Sequence, residues 1–309
     1  MQAVVFDRYG PPEVLRITEV AKPIPKDKEI LVKVFATTVH RGDVRMRSFD
    51  VPRWQWLFAR LYLGVRKPKR PILGMELAGE VVQVGSAVSR FEIGDKVFAS
   101  TLWSDFGGYA EYKCLPEDTM VTHKPSNLSY EEAAAIPCSG LTALRILRMA
   151  KIQPGQKVLI YGASGSGGSF AVQLAKSYGA EVTGVCSTSN LEMVKGLGAD
   201  RVIDYTQEDL PQQGILYDVF FDAVAKYPPK EAKKILAKGG TYLNVHKHDG
   251  THDKKKPFWH DLDLLKDLCE EGKLRAAIDR CYRLDQLPEA HQYVETGHKR
   301  GNVVVNIAK

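Results

Sequence analysis

The stretch from Val158 to Lys176 constrains what this chain can fold into more than any other. It joins a short apolar run, Val158 to Tyr161, to a glycine-rich turn and then to apolar residues that recur at helical spacing from Phe170 onward. A second strand-like run follows at 181–186. Glycines let a pyrophosphate approach the backbone, and the positive end of the new helix attracts its charge. The pattern favours a dinucleotide site over a surface turn.

The residues after the second strand indicate which dinucleotide is preferred. That strand ends at Cys186, and the segment 187–190 brings serine, threonine and asparagine in place of the acidic residue that would bind a free ribose 2′-hydroxyl. Hydroxyl groups and a helix N-terminus favour a phosphate at this point. We therefore predict NADPH as the cofactor.

Composition and charge indicate a globular protein of two domains. A chain of 309 residues with 44% hydrophobic content can bury a substantial core. Its net charge of +6, from 43 basic and 37 acidic residues, is spread along the sequence, with concentrations at 66–70 and 254–256. Such an excess favours anionic ligands mildly, and we expect no nucleic-acid partner.

The sequence predicts a cytoplasmic protein without a membrane-spanning helix. The longest uncharged stretch, 158–175, contains the glycines and serines of the turn. Met1 is followed at once by the strand-like run 2–7, which leaves no room for a signal region or transit peptide. The five cysteines are odd in number and unclustered, so they indicate neither a disulfide framework nor a four-cysteine zinc loop.

Periodicity divides the chain into two kinds of domain. Residues 1–49 alternate strand-like runs with turns, the pattern of an antiparallel β domain. From Ser129 onward helices alternate with strands of the parallel type, and a separate strand follows at 301–307. The predicted parallel strands are 158–161, 181–186, 202–204, 218–222 and 240–245. The predicted fold class is therefore α/β, with a doubly wound parallel sheet beside an antiparallel β domain.

An aromatic segment at 53–70 interrupts the first domain. Its tryptophan, phenylalanine, tyrosine and leucine residues stand among arginines and lysines. A helical lid over a pocket and an interfacial membrane helix both have this composition. We favour the lid because the apolar run is short and ends at Gly64 and Pro68, which makes Trp56 and Tyr62 candidate substrate-binding residues. Weak peripheral membrane contact is the alternative.

Several motifs in register resemble the medium-chain dehydrogenase/reductases, in their zinc-free quinone oxidoreductase-like branch. They are the glycine turn, Gly74 to Gly85, Gly94 to Val97, Gly107 to Tyr112, Leu141 to Ala143 and Gly198 to Tyr205. The resemblance implies a GroES-like domain at 1–123, to which 262–309 return, and an inserted Rossmann domain at 124–261. It also implies an active site between the domains, outside the carboxyl ends of the parallel strands.

The same resemblance locates the positions that hold zinc in related alcohol dehydrogenases. They correspond to His40, Met75 and Cys138, and the thioether of Met75 is a poor zinc ligand. We therefore expect no catalytic metal and interpret Cys138 as a helix-packing residue. His40 and Asp43 are the catalytic candidates, to bind substrate or relay a proton, with a structural hydrogen-bonded pair as the alternative. Arg47 is as well placed to pair with Asp43 as to touch anything else.

Hydride transfer without a metal requires an acceptor that needs little electrophilic help. Quinones and α,β-unsaturated carbonyl compounds meet this requirement when donors stabilise the developing anion. By resemblance, Thr142 lies against the nicotinamide. The expected cofactor-binding residues are Thr142, Ala163, Ser164, Gly165, Ser166, Gly167, Gly168, Ser187, Ser189, Asn190 and Tyr205. The alternatives are a zinc-dependent alcohol dehydrogenase and a nucleotide-binding protein without turnover.

The region after Val245 departs most from the family pattern. Relatives usually continue through another helix and strand, whereas here a short polar loop intervenes, so we expect a monomer or an atypical dimer. Four histidines between His246 and His260 are interpreted as a hydrated loop, with metal binding as the alternative, because neighbouring lysines repel cations. At Asn302 relatives often carry a lysine.

Overall fold

The computed structural model describes residues 1–210, 214–248 and 259–307. The strands are β1 (Gln2–Val5), β2 (Arg16–Glu19), β3 (Glu29–Thr38), β4 (Glu76–Val84), β5 (Lys96–Ser100), β6 (Tyr112–Pro116), β7 (Val121–His123), β8 (Lys157–Tyr161), β9 (Glu181–Cys186), β10 (Arg201–Asp204), β11 (Tyr217–Asp222), β12 (Leu236–Asn244), β13 (Ile278–Arg283) and β14 (Asn302–Asn306). The helices are α1 (Arg41–Ser48), α2 (Trp56–Leu63), α3 (Tyr130–Ala134), α4 (Pro137–Ala150), α5 (Ser166–Ser177), α6 (Leu191–Gly196), α7 (Pro229–Ala232), α8 (Val245–His248), α9 (His260–Glu270) and α10 (Leu287–Glu295).

The chain forms two compact units. Of the described residues, 1–138, 259–266 and 278–307 belong to the first unit, and 139–210, 214–248 and 267–277 to the second. The first boundary therefore falls later than the predicted position after 123. The reason is that α3 packs on β3, β4 and β14, and the Cys138 N–H donates to the Glu76 carboxylate, so this segment belongs to the first sheet.

The first unit is built on a seven-stranded sheet. Its order is β13-β14-β3-β4-β5-β7, and β6 pairs with β3 beside β14. All pairs are antiparallel except the parallel pair of β13 and β14. Alternation along β3 buries Ile30, Val32 and Val34 in one apolar core, which α10 completes with Leu287. Arg47, in α1, is wholly buried and pairs with Glu295 of α10, not with Asp43.

The second unit holds a five-stranded parallel sheet in the order β10-β9-β8-β11-β12. Strands that are covered on both faces read as continuous apolar runs, as β8 and β11 do. Leu159, Val185, Ile203 and Phe220 from four of these strands share one core. The sheet confirms the predicted doubly wound α/β fold class. No helix of the described residues is long and apolar enough to cross a bilayer.

Candidate active site

The amino end of α1 is fixed by reciprocal hydrogen bonds between His40 and Asp43. His40 is the N-cap residue, and its Nδ1 accepts the Gly42 N–H at 3.2 Å. One Asp43 oxygen accepts the His40 N–H at 3.0 Å, and the other accepts the Gly74 N–H at 3.0 Å. Asp43 is wholly buried, whereas His40 keeps part of its surface in solvent. The geometry therefore gives Asp43 a positioning role and leaves His40 as the group able to meet a substrate.

These contacts set the protonation state of His40. Because Nδ1 accepts a hydrogen bond, the neutral ring carries its proton on Nε2. Loss of hydration and the positive charge of Lys299 lower the pKa of His40 to about 4. At neutral pH the ring is thus a neutral Nε2–H donor and not an imidazolium acid.

Glu76 is a second wholly buried carboxylate in the same unit. It accepts the Thr38 hydroxyl and, at 2.7 Å, the backbone N–H of Cys138. Burial raises the pKa of Glu76 to about 7, against the opposing pull of the Lys299 charge, and burial raises the pKa of Asp43 to about 7. Burial lowers the pKa of Lys299 to about 8. The protonation of these groups is therefore governed mainly by removal from water.

Lys299 provides a cation three positions before Asn302 in the chain. Asn302 is buried at the start of β14. The ammonium group of Lys299 acts on both Glu76 and His40, and its Nζ donates to the Gly301 carbonyl at 2.6 Å. Sequence reasoning missed Lys299 because it precedes β14 and has no motif around it.

The residues at the zinc-ligand positions do not fit a zinc ion. The Met75 thioether packs against Gly42, and the Cys138 Sγ donates to the Met75 carbonyl at 3.2 Å. Burial raises the pKa of Cys138 well above its usual range, so the thiol stays protonated. A thioether, a protonated thiol and an imidazole whose Nδ1 is occupied are poor zinc ligands. Cys138 and Met75 instead share an apolar cluster with Phe106.

In the second unit, the glycine turn follows the carboxyl end of β8, where the strand order reverses toward β11. A Cβ at Gly168 would lie 2.1 Å from the Gly162 carbonyl oxygen, so α5 packs too closely for a side chain there. A Cβ at Gly167 would have nothing within 4 Å, so this backbone borders open space. Gly165 is the N-cap of α5 and places no side chain over its first turn. The turn fits a pyrophosphate.

The loop after β9 gathers polar groups beside this turn. Asn190 Nδ2 lies 3.0 Å from the Ser187 Oγ and 3.3 Å from the Ser164 Oγ and donates to both. The Asn190 Oδ1 is buried without a hydrogen-bond partner, and Ser189 is exposed. Asn190 thus links two other predicted cofactor residues, Ser164 and Ser187, through its side-chain amide.

Asp204 is an acidic residue near the predicted phosphate position that sequence order did not reveal. It ends β10, opposite Cys186 in the strand register, and accepts hydrogen bonds from the Thr188 and Thr206 hydroxyls. The Thr188 bond is the main cause that lowers the pKa of Asp204. The carboxylate is therefore ionised at neutral pH but engaged by its own neighbours.

The remaining cofactor candidates lie in or near the same unit's sheet. Ala163 and Ser166 are buried in the turn, Tyr205 is exposed after β10, and Thr142 is partly exposed on α4. Their contact with a cofactor stays a prediction.

The two substrate-binding candidates of α2 have different surroundings. Tyr62 lies beside the Arg70 guanidinium, at 5.0 Å, and Arg70 also lies over Phe106, at 5.7 Å from the ring centre. This chain of contacts leads to the apolar cluster of Met75, Phe106 and Cys138. Trp56 instead packs against Phe49, and the structure brings it into no contact with that cluster.

The histidine-rich loop lies only partly within the described residues. His246 donates its N–H to the Asn244 side chain, and the His248 ring lies 3.0 Å from the Asn244 N–H and accepts from it. These two histidines therefore close the end of β12. His252 lies outside the described residues. Among the residues that the structure describes, no three His, Cys, Asp or Glu side chains converge as metal ligands.

Comparison with known proteins agrees with this architecture. Residues 26–126 match the alcohol dehydrogenase GroES-like domain, and residues 197–305 match a zinc-binding dehydrogenase domain. The chain is 32% identical to the mitochondrial NAD(P)H oxidoreductase RTN4IP1 of Mus musculus, covering 99% of this chain and 89% of that protein. It is 31% identical to the chloroplastic NADPH-dependent alkenal/one oxidoreductase of Arabidopsis thaliana, covering 99% and 79%. The quinone oxidoreductase structure from Coxiella burnetii superimposes with a TM-score of 0.86 at 31% identity, covering 100% and 99%.

A GroES-like β unit joined to a parallel-sheet nucleotide unit defines a class of nicotinamide-dependent oxidoreductases. The chain belongs to the medium-chain dehydrogenase/reductase superfamily, in its quinone oxidoreductase-like branch. This confirms the resemblance seen in the sequence. The protein is an oxidoreductase that uses a nicotinamide cofactor and acts as a reductase on small molecules.

Proposed function

We propose that the protein is an NADPH-preferring reductase of quinones or α,β-unsaturated carbonyl compounds that works without a catalytic metal. The observation that carries the proposal is the capping box that holds His40 as a neutral Nε2–H donor. The similarity to an alkenal/one oxidoreductase of Arabidopsis and to a quinone oxidoreductase of Coxiella supports the acceptor class.

In this proposal, His40 donates a hydrogen bond in the site that binds the hydride-accepting substrate. A neutral imidazole with its proton on Nε2 donates a hydrogen bond to the acceptor oxygen as negative charge develops there. The ring keeps its proton, because its Nδ1 is occupied and its pKa lies far below neutrality. Water then supplies the proton that completes the reduced product. Asp43 and Lys299 are positioning residues that fix the orientation and charge state of His40.

The second unit supplies the cofactor site. A bound NADPH provides the hydride. Gly165 and Gly167 leave the backbone of the turn open to the pyrophosphate, and Gly168 lets α5 pack against the Gly162 carbonyl. The 2′-phosphate is assigned to the loop of Ser187 and Asn190, where hydroxyls replace an acid. The similarity to the NADPH-dependent oxidoreductase of Arabidopsis supports this preference.

Tyr62, and not Trp56, is assigned to the acceptor site. Tyr62 connects through Arg70 to Phe106, and so to the cluster near His40. A planar acceptor gains contact area from such aromatic neighbours at low cost in side-chain entropy.

The decisive experiment measures NADPH oxidation with a panel of quinones, enones and alkenals, with butanal and cyclohexanone as saturated controls. We expect turnover of the conjugated acceptors alone, because conjugation spreads the developing charge. NADPH should give a higher kcat/KM than NADH. Turnover of butanal without turnover of any conjugated acceptor would refute the reaction class, and NADPH binding without turnover of any acceptor would favour a nucleotide-binding protein.

A further inference from the structure

Helix α2 and the turn before it present a row of large apolar side chains to solvent. The exposed fractions are 77% for Trp54, 62% for Leu57, 72% for Phe58 and 56% for Leu61. Spacings of three, one and three residues place these four side chains along one side of a helix. None of the eight residues of α2 is buried. The row is therefore an apolar surface without a partner in the described residues.

The opposite side of α2 attaches it to the first unit. Trp56 meets the Phe49 ring edge-on, with ring centres 6.1 Å apart, and Leu63 lines a small cavity with Tyr9. The Arg60 guanidinium lies over the rings of Phe49, at 4.1 Å, and Tyr9, at 4.9 Å. The helix is thus held in place by one face while the other remains uncovered.

A local excess of basic residues surrounds this helix. Residues 51–75 contain six basic and no acidic residues, and the rest of the chain carries 37 of each. The six are Arg53, Arg60, Arg66, Lys67, Lys69 and Arg70. Arg66, Lys67 and Lys69 are exposed just beyond the helix, whereas Arg70 pairs with Asp105 at 2.7 Å. The segment that carries the exposed aromatics therefore has a local charge of +6.

We propose that residues 54–69 dock on the surface of an anionic phospholipid bilayer. Tryptophan and phenylalanine insert among the acyl chains and headgroups, and the lysines and Arg66 contact lipid phosphates. A single row of apolar side chains flanked by cations matches a planar, negatively charged interface. The helix lies on the membrane and is too short to cross it. This inference is independent of the reaction proposed above.

The test is flotation of the purified full-length protein with phosphatidylcholine vesicles, with or without about 30 mol% phosphatidylglycerol, at low and high salt. We expect at least about tenfold more protein bound to the anionic vesicles, and release in high salt. W54S/F58S and R66Q/K67Q/K69Q should each reduce binding by about tenfold or more. The matched controls are I24S/I93S, which removes exposed apolar side chains elsewhere, and K226Q/K230Q/K233Q, which removes exposed charges elsewhere.

Measurements on the W54S/F58S variant also test whether it folds and whether something other than a membrane covers this surface. Circular dichroism and NADPH oxidation with a soluble acceptor should be unchanged in W54S/F58S. Absence of flotation, or equal loss in the control variants, would overturn the proposal. A dimer in sedimentation that W54S/F58S dissociates would assign the surface to a second copy, and a raised acceptor KM in that variant would assign it to a substrate lid. Either result contradicts the membrane assignment.

Discussion

At the scale of single residues, His40 combines two tasks that can be separated by substitution. Its Nδ1 caps α1, and its Nε2–H is the proposed donor. Asparagine and aspartate both cap helices well, but only asparagine retains an N–H donor. We expect H40N to keep kcat/KM for an enone within about tenfold and H40D to lose roughly 10²-fold or more. Equal activities of the two variants, at equal thermal stability, would exclude His40 as the donor.

Lys299 lowers the pKa of both His40 and Glu76 through its charge. In K299M we therefore expect the pKa of His40 to rise from about 4 toward its usual value and the pKa of Glu76 to rise further above 7. NMR titration of the histidine Cε1–H signal, assigned with H40N, measures the first effect. K299R keeps the charge and is the control. A His40 pKa that is the same in K299M and wild type would show that Lys299 does not act on it.

At the scale of elements, two neighbouring glycines at the start of α5 have different roles, one in packing and one in ligand access. A Cβ at Gly168 meets the Gly162 carbonyl at 2.1 Å, whereas a Cβ at Gly167 meets nothing within 4 Å. G168A should lower the melting temperature markedly, since backbone cannot give way cheaply. G167A should keep the melting temperature and weaken NADPH binding by about tenfold or more, because its methyl group occupies space left for the pyrophosphate. Thermal unfolding and fluorescence titration with NADPH measure the two effects. Unchanged NADPH affinity in G167A would move the cofactor away from this turn.

At the scale of the whole molecule, buried acids affect stability as a function of pH. The folded pKa of Glu76 is about 7, above the 4.5 of an unfolded glutamate. Its contribution is therefore fully present below about pH 4.5 and is lost as pH rises through 7. In E76Q this loss cannot occur, and the amide can still donate to Thr38 and accept from the Cys138 N–H.

We expect the unfolding free energy of E76Q, relative to wild type, to increase between pH 5 and pH 8 by on the order of 2 kcal/mol. Urea unfolding across this range measures the difference. Asp43 and His40 titrate in both proteins, so their effects cancel to first order. E289Q, at an exposed position of α10, should show no such trend. A decrease in the relative stability of E76Q as the pH rises would mean that Glu76 is held ionised in the folded protein.

The sequence by itself determined the nucleotide-binding sheet and the family of oxidoreductases to which the chain belongs. The change from strand to helical period around the glycines of 162–168, and the alternation of strands and helices beyond Ser129, are local patterns that survive in the fold. Met75 at a zinc-ligand position is equally local, because a thioether is a poor ligand wherever the backbone places it. Such features depend on residues within one turn or strand of each other. They can therefore be read from the sequence alone.

Only the tertiary structure decided the roles that depend on distant partners. Asp43 is held in place by the N–H of Gly74, 31 positions away in the chain. Lys299 affects Glu76 and His40 although more than two hundred residues separate them in the chain. Trp56 touches Phe49 and is 49% exposed, whereas Phe58 is 72% exposed, because one face of α2 meets Phe49 and Tyr9. Burial and charge act through space, so the pKa of a side chain and the exposure of a helix face are set by neighbours that the chain brings together only on folding.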